Sequence, residues 1–269
     1  MQSKAQIIAT IGPATKDKEI LKSMMEHQMD VVRLNFSWGT YEEHAEYIKN
    51  VREVAMELGK EIPIIQDLSG PREQKGSEHG FDESKESVIT EKDLKDLEFG
   101  ISHNVDYIAM SFVGGAEDVL KLKEEIKKRG ALIPVISKIE RKIALDNLDK
   151  IIEVTDAIMV ARGDLGNAIP LEQIPFVEKD IILKCKKAGK PVITATQMMF
   201  SMKDNRVPTR AEMTDVAYAI MSGSDAVMLS EETAVGLYPV EVIEMMEKEI
   251  EESEKHLKDF VINPLVIKK

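Results

Sequence analysis

PVISKIERKIALDNLDKIIEVTDAIMVARGDLG, residues 134–166, sets two short apolar runs in front of two charged clusters. Residues 134–139 are rich in β-branched side chains and have the length of a buried strand; alternate side chains of a strand share a face, so Lys138 and Glu140 emerge together. Residues 157–161 form a second apolar run that ends directly in Arg-Gly-Asp-Leu-Gly, where Gly163 and Gly166 are expected to turn the backbone sharply and expose N–H groups beside Asp164. One lysine and two carboxylates at neighbouring strand ends suit a divalent ion holding an anionic substrate. The structural alternative is a solvated salt bridge among Lys138, Glu140 and Arg141.

The same beat of short apolar run and amphipathic helix extends in both directions. Residues 6–11, 31–34, 63–67 and 106–112 read as strands, and residues 17–27, 41–58, 90–102 and 117–129 as the helices that follow them. Downstream come helix 171–188, strand 191–196, helix 210–221, strand 226–230 and helix 239–256. Only 68–89, with Gly, Ser, Glu and Lys and no periodicity, breaks the rhythm and reads as an exposed excursion. Eight strand–helix units imply parallel strands closed into a single-domain (β/α)8 barrel over residues 1–256, with 72–90 as the excursion and 257–269 as a tail. A doubly wound open sheet is the competing architecture. A barrel places its working residues at the C-terminal strand ends. Polar residues do collect there: Arg33, Asn35, Asp67, Ser111, Lys138, Asp164, Thr196 and Ser230.

A formal net charge of −12 over 269 residues argues against nucleic acid or an anionic membrane as partner, because phosphates would be repelled over most of the surface. The single cysteine, Cys185, excludes an internal disulfide and reads as a buried bystander. The opening residues MQSKAQIIATIG lack a long apolar core with a cleavage site and no apolar run approaches about 20 residues, so a cytoplasmic location is expected. Methionine pairs such as Met24-Met25 and Met198-Met199 read as core filler.

VISKIE followed by DAIMVARGDLG, with VVRLNFSWGTYEEH upstream and ATQMM, PTRAEMTDVA and MLSEETAVGLYP downstream, resembles the pyruvate kinase family in content and order. The resemblance implies transfer of a phosphoryl group from phosphoenolpyruvate to ADP, giving pyruvate and ATP, with Mg²⁺ or Mn²⁺. By the same resemblance Arg33 binds the substrate phosphate, for which a bidentate guanidinium is suited, and Lys138 neutralises the phosphoryl group in flight. Glu140 and Asp164 hold the divalent ion, backbone amides near Gly163 and Asp164 bind the substrate carboxylate, and Ser111 lines the pocket. Thr196 and Ser230, with Glu232 nearby, are tied to protonation of the enolate carbon. Bland alternatives exist for each: an ion pair for Arg33, a loop hydrogen bond for Thr196.

Asn35, Ser37 and Asp67 match side chains that surround potassium in many members of that family, although Asn, Ser and Asp also favour turns. Arg72 is read as an internal cation beside Asp67 that makes potassium unnecessary. The resemblance is to the barrel only. Residues 74–89 stand in place of the family's lid domain, Gln74 and Gly114 replace arginines and Trp38 replaces a histidine, all on the nucleotide side, where Lys75 and His79 are the nearby substitutes. Two other functions therefore compete with phosphotransfer: a metal-dependent, nucleotide-free enzyme acting on pyruvate, oxaloacetate or phosphoenolpyruvate through an enolate, and a non-catalytic binding module for phosphoenolpyruvate or pyruvate. A homo-oligomer is compatible with each.

Overall fold

The computed structural model describes residues 3–257 except 76–77 and 83–86, with the backbone alone described for 73–75 and 78–80. Among these residues ten strands run in chain order: β1 (Gln6–Thr10), β2 (Met29–Asn35), β3 (Ile64–Asp67), β4 (Arg72–Lys75), β5 (Glu78–Phe81), β6 (Tyr107–Met110), β7 (Val135–Ile139), β8 (Ala157–Ala161), β9 (Val192–Ala195) and β10 (Ala226–Leu229). Eight of them close a barrel in the order β1-β10-β9-β8-β7-β6-β3-β2, every neighbouring pair parallel. The open sheet is excluded because β1 pairs with β10, Gln6 opposite Ala226. β4 and β5 form a separate antiparallel ribbon, so the stretch without periodicity is a short hairpin rather than irregular coil. The tail proposed at 257–269 lies outside the described residues beyond Leu257, as do the side chains of Gln74, Lys75 and His79.

Helices form where local chemistry supports them. Thr40 and Glu43 make a reciprocal capping box at the head of the helix Tyr41–Leu58, and Gly59 ends it at φ 62°. Thr209 and Glu212 repeat the arrangement before the helix Arg210–Ser222. Between β7 and β8 the chain makes two short helices, Lys142–Asp146 and Leu148–Val154. Among the described residues no helix is long and apolar enough to cross a membrane. Cys185 is buried, and burial pushes its thiol up to about 12.

Strand alternation builds two cores. Inward-facing Ile8, Val31, Ile65, Ala109, Ile136, Met159, Ile193 and Met228 fill the barrel, while the other parity packs against the helices. One step further along the inward parity stand Thr10, Arg33, Asp67, Ser111 and Lys138, all buried. The mouth is thus a polar layer continuous with an apolar plug.

The opposite end is stapled by aspartates. Asp30, Asp106, Asp156 and Asp225 stand at the start of every second barrel strand, and each carboxylate accepts the backbone N–H of the strand before it: Ile7 at 2.9 Å, Ile64 at 2.8 Å, Val135 at 2.7 Å and Val192 at 3.0 Å. These N–H groups lie at or next to the first residue of their strands, where a donor without a partner is costly. The sequence carries the repeat as Met29-Asp30-Val31-Val32, Val105-Asp106-Tyr107-Ile108, Thr155-Asp156-Ala157-Ile158 and Ser224-Asp225-Ala226-Val227. Arg52, Lys123 and Lys186 pair with the second, third and fourth aspartates at 2.7, 2.8 and 2.7 Å.

Asp30 is the least compensated of the four, and burial pushes its carboxyl up to about 6. Because the folded chain then holds a proton that the unfolded chain has released, stability falls as pH rises from about 4 to about 6. An asparagine side chain in its place would keep an acceptor for Ile7 without the charge. Asp30→Asn is therefore expected to gain about 1–2 kcal/mol near pH 7 and to flatten that dependence. Urea unfolding of both proteins near pH 4 and near pH 7 measures both effects; an Asp30→Asn variant less stable than the unsubstituted protein near pH 7 would contradict the assignment.

Candidate active site

Asp67 is the centre of the mouth. Its Oδ2 lies 2.7 Å from Arg33 Nε and its Oδ1 3.0 Å from Lys138 Nζ. Lys138 Nζ also lies 3.0 Å from Glu140 Oε1 and donates to Ser111 Oγ at 2.7 Å, while Ser111 Oγ donates to the Leu68 carbonyl at 2.7 Å. Arg33 Nη1 donates to Thr10 Oγ1 at 3.0 Å. Burial alone would raise the Asp67 carboxyl, but Lys138 and then Arg33 hold it below its usual range. Two buried cations are thus fixed side by side on one ionised carboxylate. Lys138 and Glu140 do share a face, as the alternation of β7 requires, and both are buried rather than solvated.

Glu140 shows the opposite titration behaviour: burial raises its carboxyl, Lys138 opposes this and Asp164 adds to it. Its Oε2 accepts the Phe112 N–H at 2.7 Å, whereas Oε1 is buried without a hydrogen-bond partner among the described residues apart from the ion pair with Lys138. Two repelling carboxylates, one with an unsaturated buried oxygen, fit a divalent cation. Among the described residues no group of three or more His, Cys, Asp and Glu is placed to hold a metal ion.

Two expectations about local geometry are corrected. Arg-Gly-Asp-Leu-Gly is not a turn: the helix Arg162–Ala168 starts as β8 ends, and neither Gly163 nor Gly166 has a positive φ. Gly163 is required for space instead, since a Cβ there would lie 2.8 Å from Thr196 Cγ2. Thr196 itself stands just beyond β9. Strand alternation would put it on the outer face with Thr194, whose hydroxyl meets Ser224 Oγ at 2.8 Å, but the positive φ at Thr196 (78°) and Gln197 (56°) breaks the alternation and brings its side chain against Gly163.

The second correction concerns Arg72, whose ion pair is with Asp164 at 3.5 Å, not with Asp67. Gly70, at φ 63°, turns the chain over Phe112, where a Cβ would lie 2.9 Å from the ring. Arg72 consequently lies 5.3 Å from the centroid of that ring, on the Asp164 side of the mouth. Among the described residues no side-chain hydrogen bond joins Asn35 or Ser37 to the charge cluster; Asn35 Oδ1 accepts the Ser37 N–H at 3.1 Å, which is turn chemistry.

Ser230 caps the short helix Glu231–Ala234, its N–H donating to Glu232 Oε2 at 2.7 Å. Glu232 is fully buried, and burial raises its carboxyl. On the other flank, Trp38 is 59% exposed. Gly114 is not far from a guanidinium: Arg141 Nη1 would lie 3.2 Å from a Cβ at Gly114, and the Arg141 guanidinium stacks 3.7 Å from the centroid of Phe81 in the ribbon. Sequence reading missed Thr10, which supports Arg33, and Arg162, which contacts Thr196 from the far side. Arg162 sits inside a motif singled out for its aspartate, so its own charge was the available signal.

The profile of the pyruvate kinase barrel domain matches residues 2–86 and 73–243. Curated relatives include the pyruvate kinase of Thermococcus litoralis, 39% identical over 94% of this chain and 70% of the relative. That of Bacillus licheniformis is 39% identical over 94% of this chain and 58% of its own length, and that of Staphylococcus aureus 38% identical over 90% and 56%. This chain therefore spans little more than half of the latter two proteins. The match to the Thermococcus protein extends over 333 positions, more than the 269 residues here, so the relative carries residues without a counterpart in this chain.

Proposed function

The chain belongs to the pyruvate kinase family, and from that premise we propose that its barrel mouth transfers the phosphoryl group of phosphoenolpyruvate to ADP. The observation that carries this reading is the pairing of Arg33 and Lys138 on Asp67, next to the carboxylates of Glu140 and Asp164. A substrate bearing a phosphate and a carboxylate needs fixed cations for the first and a divalent ion or amides for the second. An idle binding module would have no need of buried like charges held together.

Arg33 and Lys138 would hold the phosphoryl oxygens, and the lysine would follow the charge as the bond to the enol oxygen breaks and that to the ADP oxygen forms. Amides near Gly163 and Asp164 would hold the carboxylate. Thr196, with Ser230 and Glu232, would direct a proton to the methylene carbon of the enolate, completing pyruvate. Glu140 and Asp164 would hold Mg²⁺ or Mn²⁺, which when bound neutralises substrate charge. Two protein ligands leave further positions for substrate and water.

Potassium would be unnecessary because the mouth already carries fixed positive charges, Arg33 and Lys138 on Asp67 and Arg72 on Asp164. Arg141 would supply a positive group on the nucleotide side beside the ribbon, which covers less than a lid domain would, so ADP is expected to bind weakly.

A coupled assay of phosphoenolpyruvate and ADP tests the reading. Pyruvate formation should require Mg²⁺ or Mn²⁺ and proceed equally in potassium and tetramethylammonium buffers; activity that survives chelation, or that potassium alone switches on, would count against it. Glu140→Gln and Asp164→Asn should each weaken Mn²⁺ binding at least about tenfold in a titration of the free protein. Unchanged affinity in both would reduce the cluster to a salt-bridge network.

A further inference from the structure

Two consecutive residues other than glycine leave β9 in the left-handed region, Thr196 at φ 78° and Gln197 at φ 56°. A β-branched side chain avoids this conformation, and it persists only where surrounding structure imposes it. The restraint is visible. Arg162 donates to the Thr196 carbonyl oxygen from Nη2 at 2.8 Å and from Nε at 3.3 Å. The guanidinium is anchored in turn: Nη1 and Nη2 each reach Asp215 at 2.7 Å, Nη1 reaches Glu178 at 3.2 Å, and Nη2 meets Met198 Sδ at 2.9 Å.

Arg162 also begins the helix that carries Gly163 and Asp164, and Gly163 lies against the Thr196 side chain. One side chain thus ties the end of β8 to the segment after β9. We propose that Arg162 is a positioning residue, which, braced by Asp215 and Glu178, holds the Thr196 backbone in its left-handed conformation and so aims the Thr196 hydroxyl for proton transfer. The proposal rests on the function given above, in which Thr196 serves the enolate carbon.

Arg162→Lys keeps the charge that Glu178 and Asp215 require, but an ammonium cannot serve both Asp215 oxygens and the Thr196 carbonyl in the geometry of the fork. Two measurements on the full chain are decisive: Mn²⁺-dependent deuterium incorporation into the methyl group of pyruvate, and the ¹³Cα chemical shift of Thr196, which reports left-handed backbone. In Arg162→Lys the exchange is expected to fall about ten- to a hundredfold, with Mn²⁺ affinity and Tm close to those of the unsubstituted protein and the Thr196 shift moved towards extended values. Gln197→Gly, which relieves one of the two strained positions, should restore part of the exchange in that background.

Exchange at the full rate, a loss that merely follows Mn²⁺ affinity, or an unmoved Thr196 shift overturns the proposal. Should Arg162→Lys not fold, Asp215→Asn loosens the same guanidinium from its other side and is read by the same criteria. If the unsubstituted protein exchanges no deuterium, the proposed function fails, and the Thr196 shift still decides the role of Arg162.

Discussion

Lys138→Met is expected to lower phosphoryl transfer from phosphoenolpyruvate to ADP by about a thousandfold or more. The ammonium touches both Asp67, at 3.0 Å, and Glu140, at 3.0 Å, and methionine approximates its length without the charge. Folding should survive, because Asp67 retains Arg33 at 2.7 Å. Glu140 loses its nearest cation, so burial raises its carboxyl further and Mn²⁺ binding should weaken most at low pH. Steady-state kinetics with both substrates saturating provide the test. A loss smaller than about tenfold would mean that Lys138 only neutralises its carboxylate neighbours.

Asp67→Ala should be the most damaging single change to stability near the site, by about 3 kcal/mol or more in urea unfolding. Removing the carboxylate leaves Arg33 on Thr10 Oγ1 and Lys138 on Glu140 and Ser111, both cations buried. Asp67→Asn should lie between, since an amide oxygen can still accept one of the two hydrogen bonds. A cost below about 1 kcal/mol for the alanine would show that water reaches the mouth and screens the pair. The same variants also separate stability from chemistry, because Asp67 holds Arg33 and Lys138 and is not itself proposed to touch the transferred group.

The architecture was legible because each barrel strand is a short apolar run and each helix an amphipathic one, and that alternation survives in the sequence without tertiary knowledge. Lys138 and Glu140 could be placed on one face by counting residues, since β7 is regular. Asp67 was read as part of a cation-binding region because its partners lie on β2 and β7, 34 and 71 residues away, and no local pattern records such pairing. Arg72 was misplaced for a different reason: its direction depends on the positive φ of Gly70, which reorients every residue after it. Thr196 could be placed at its strand end from the sequence, but counting alone would turn its side chain outward, because two left-handed residues cancel the alternation on which counting relies. The Arg-Gly-Asp-Leu-Gly segment was read as a turn on its glycines, one of which answers to a close approach by Thr196 rather than to backbone conformation.

The four aspartates at the base give the barrel a fourfold pseudo-symmetry, Asp30, Asp106, Asp156 and Asp225 each closing one pair of strands. The mouth has none of it: Arg33, Asp67, Lys138, Asp164 and Thr196 stand at different strand ends and share no repeat. One rim is therefore periodic and ties the strands together in pairs, while the other is heterogeneous. A substitution at the mouth can change which ion or oxygen is held there without disturbing the offset of any strand, whereas a change at one basal aspartate acts on a quarter of the ring and touches no substrate. Divergence of chemistry and preservation of scaffold are in this way assigned to opposite ends of the same eight strands.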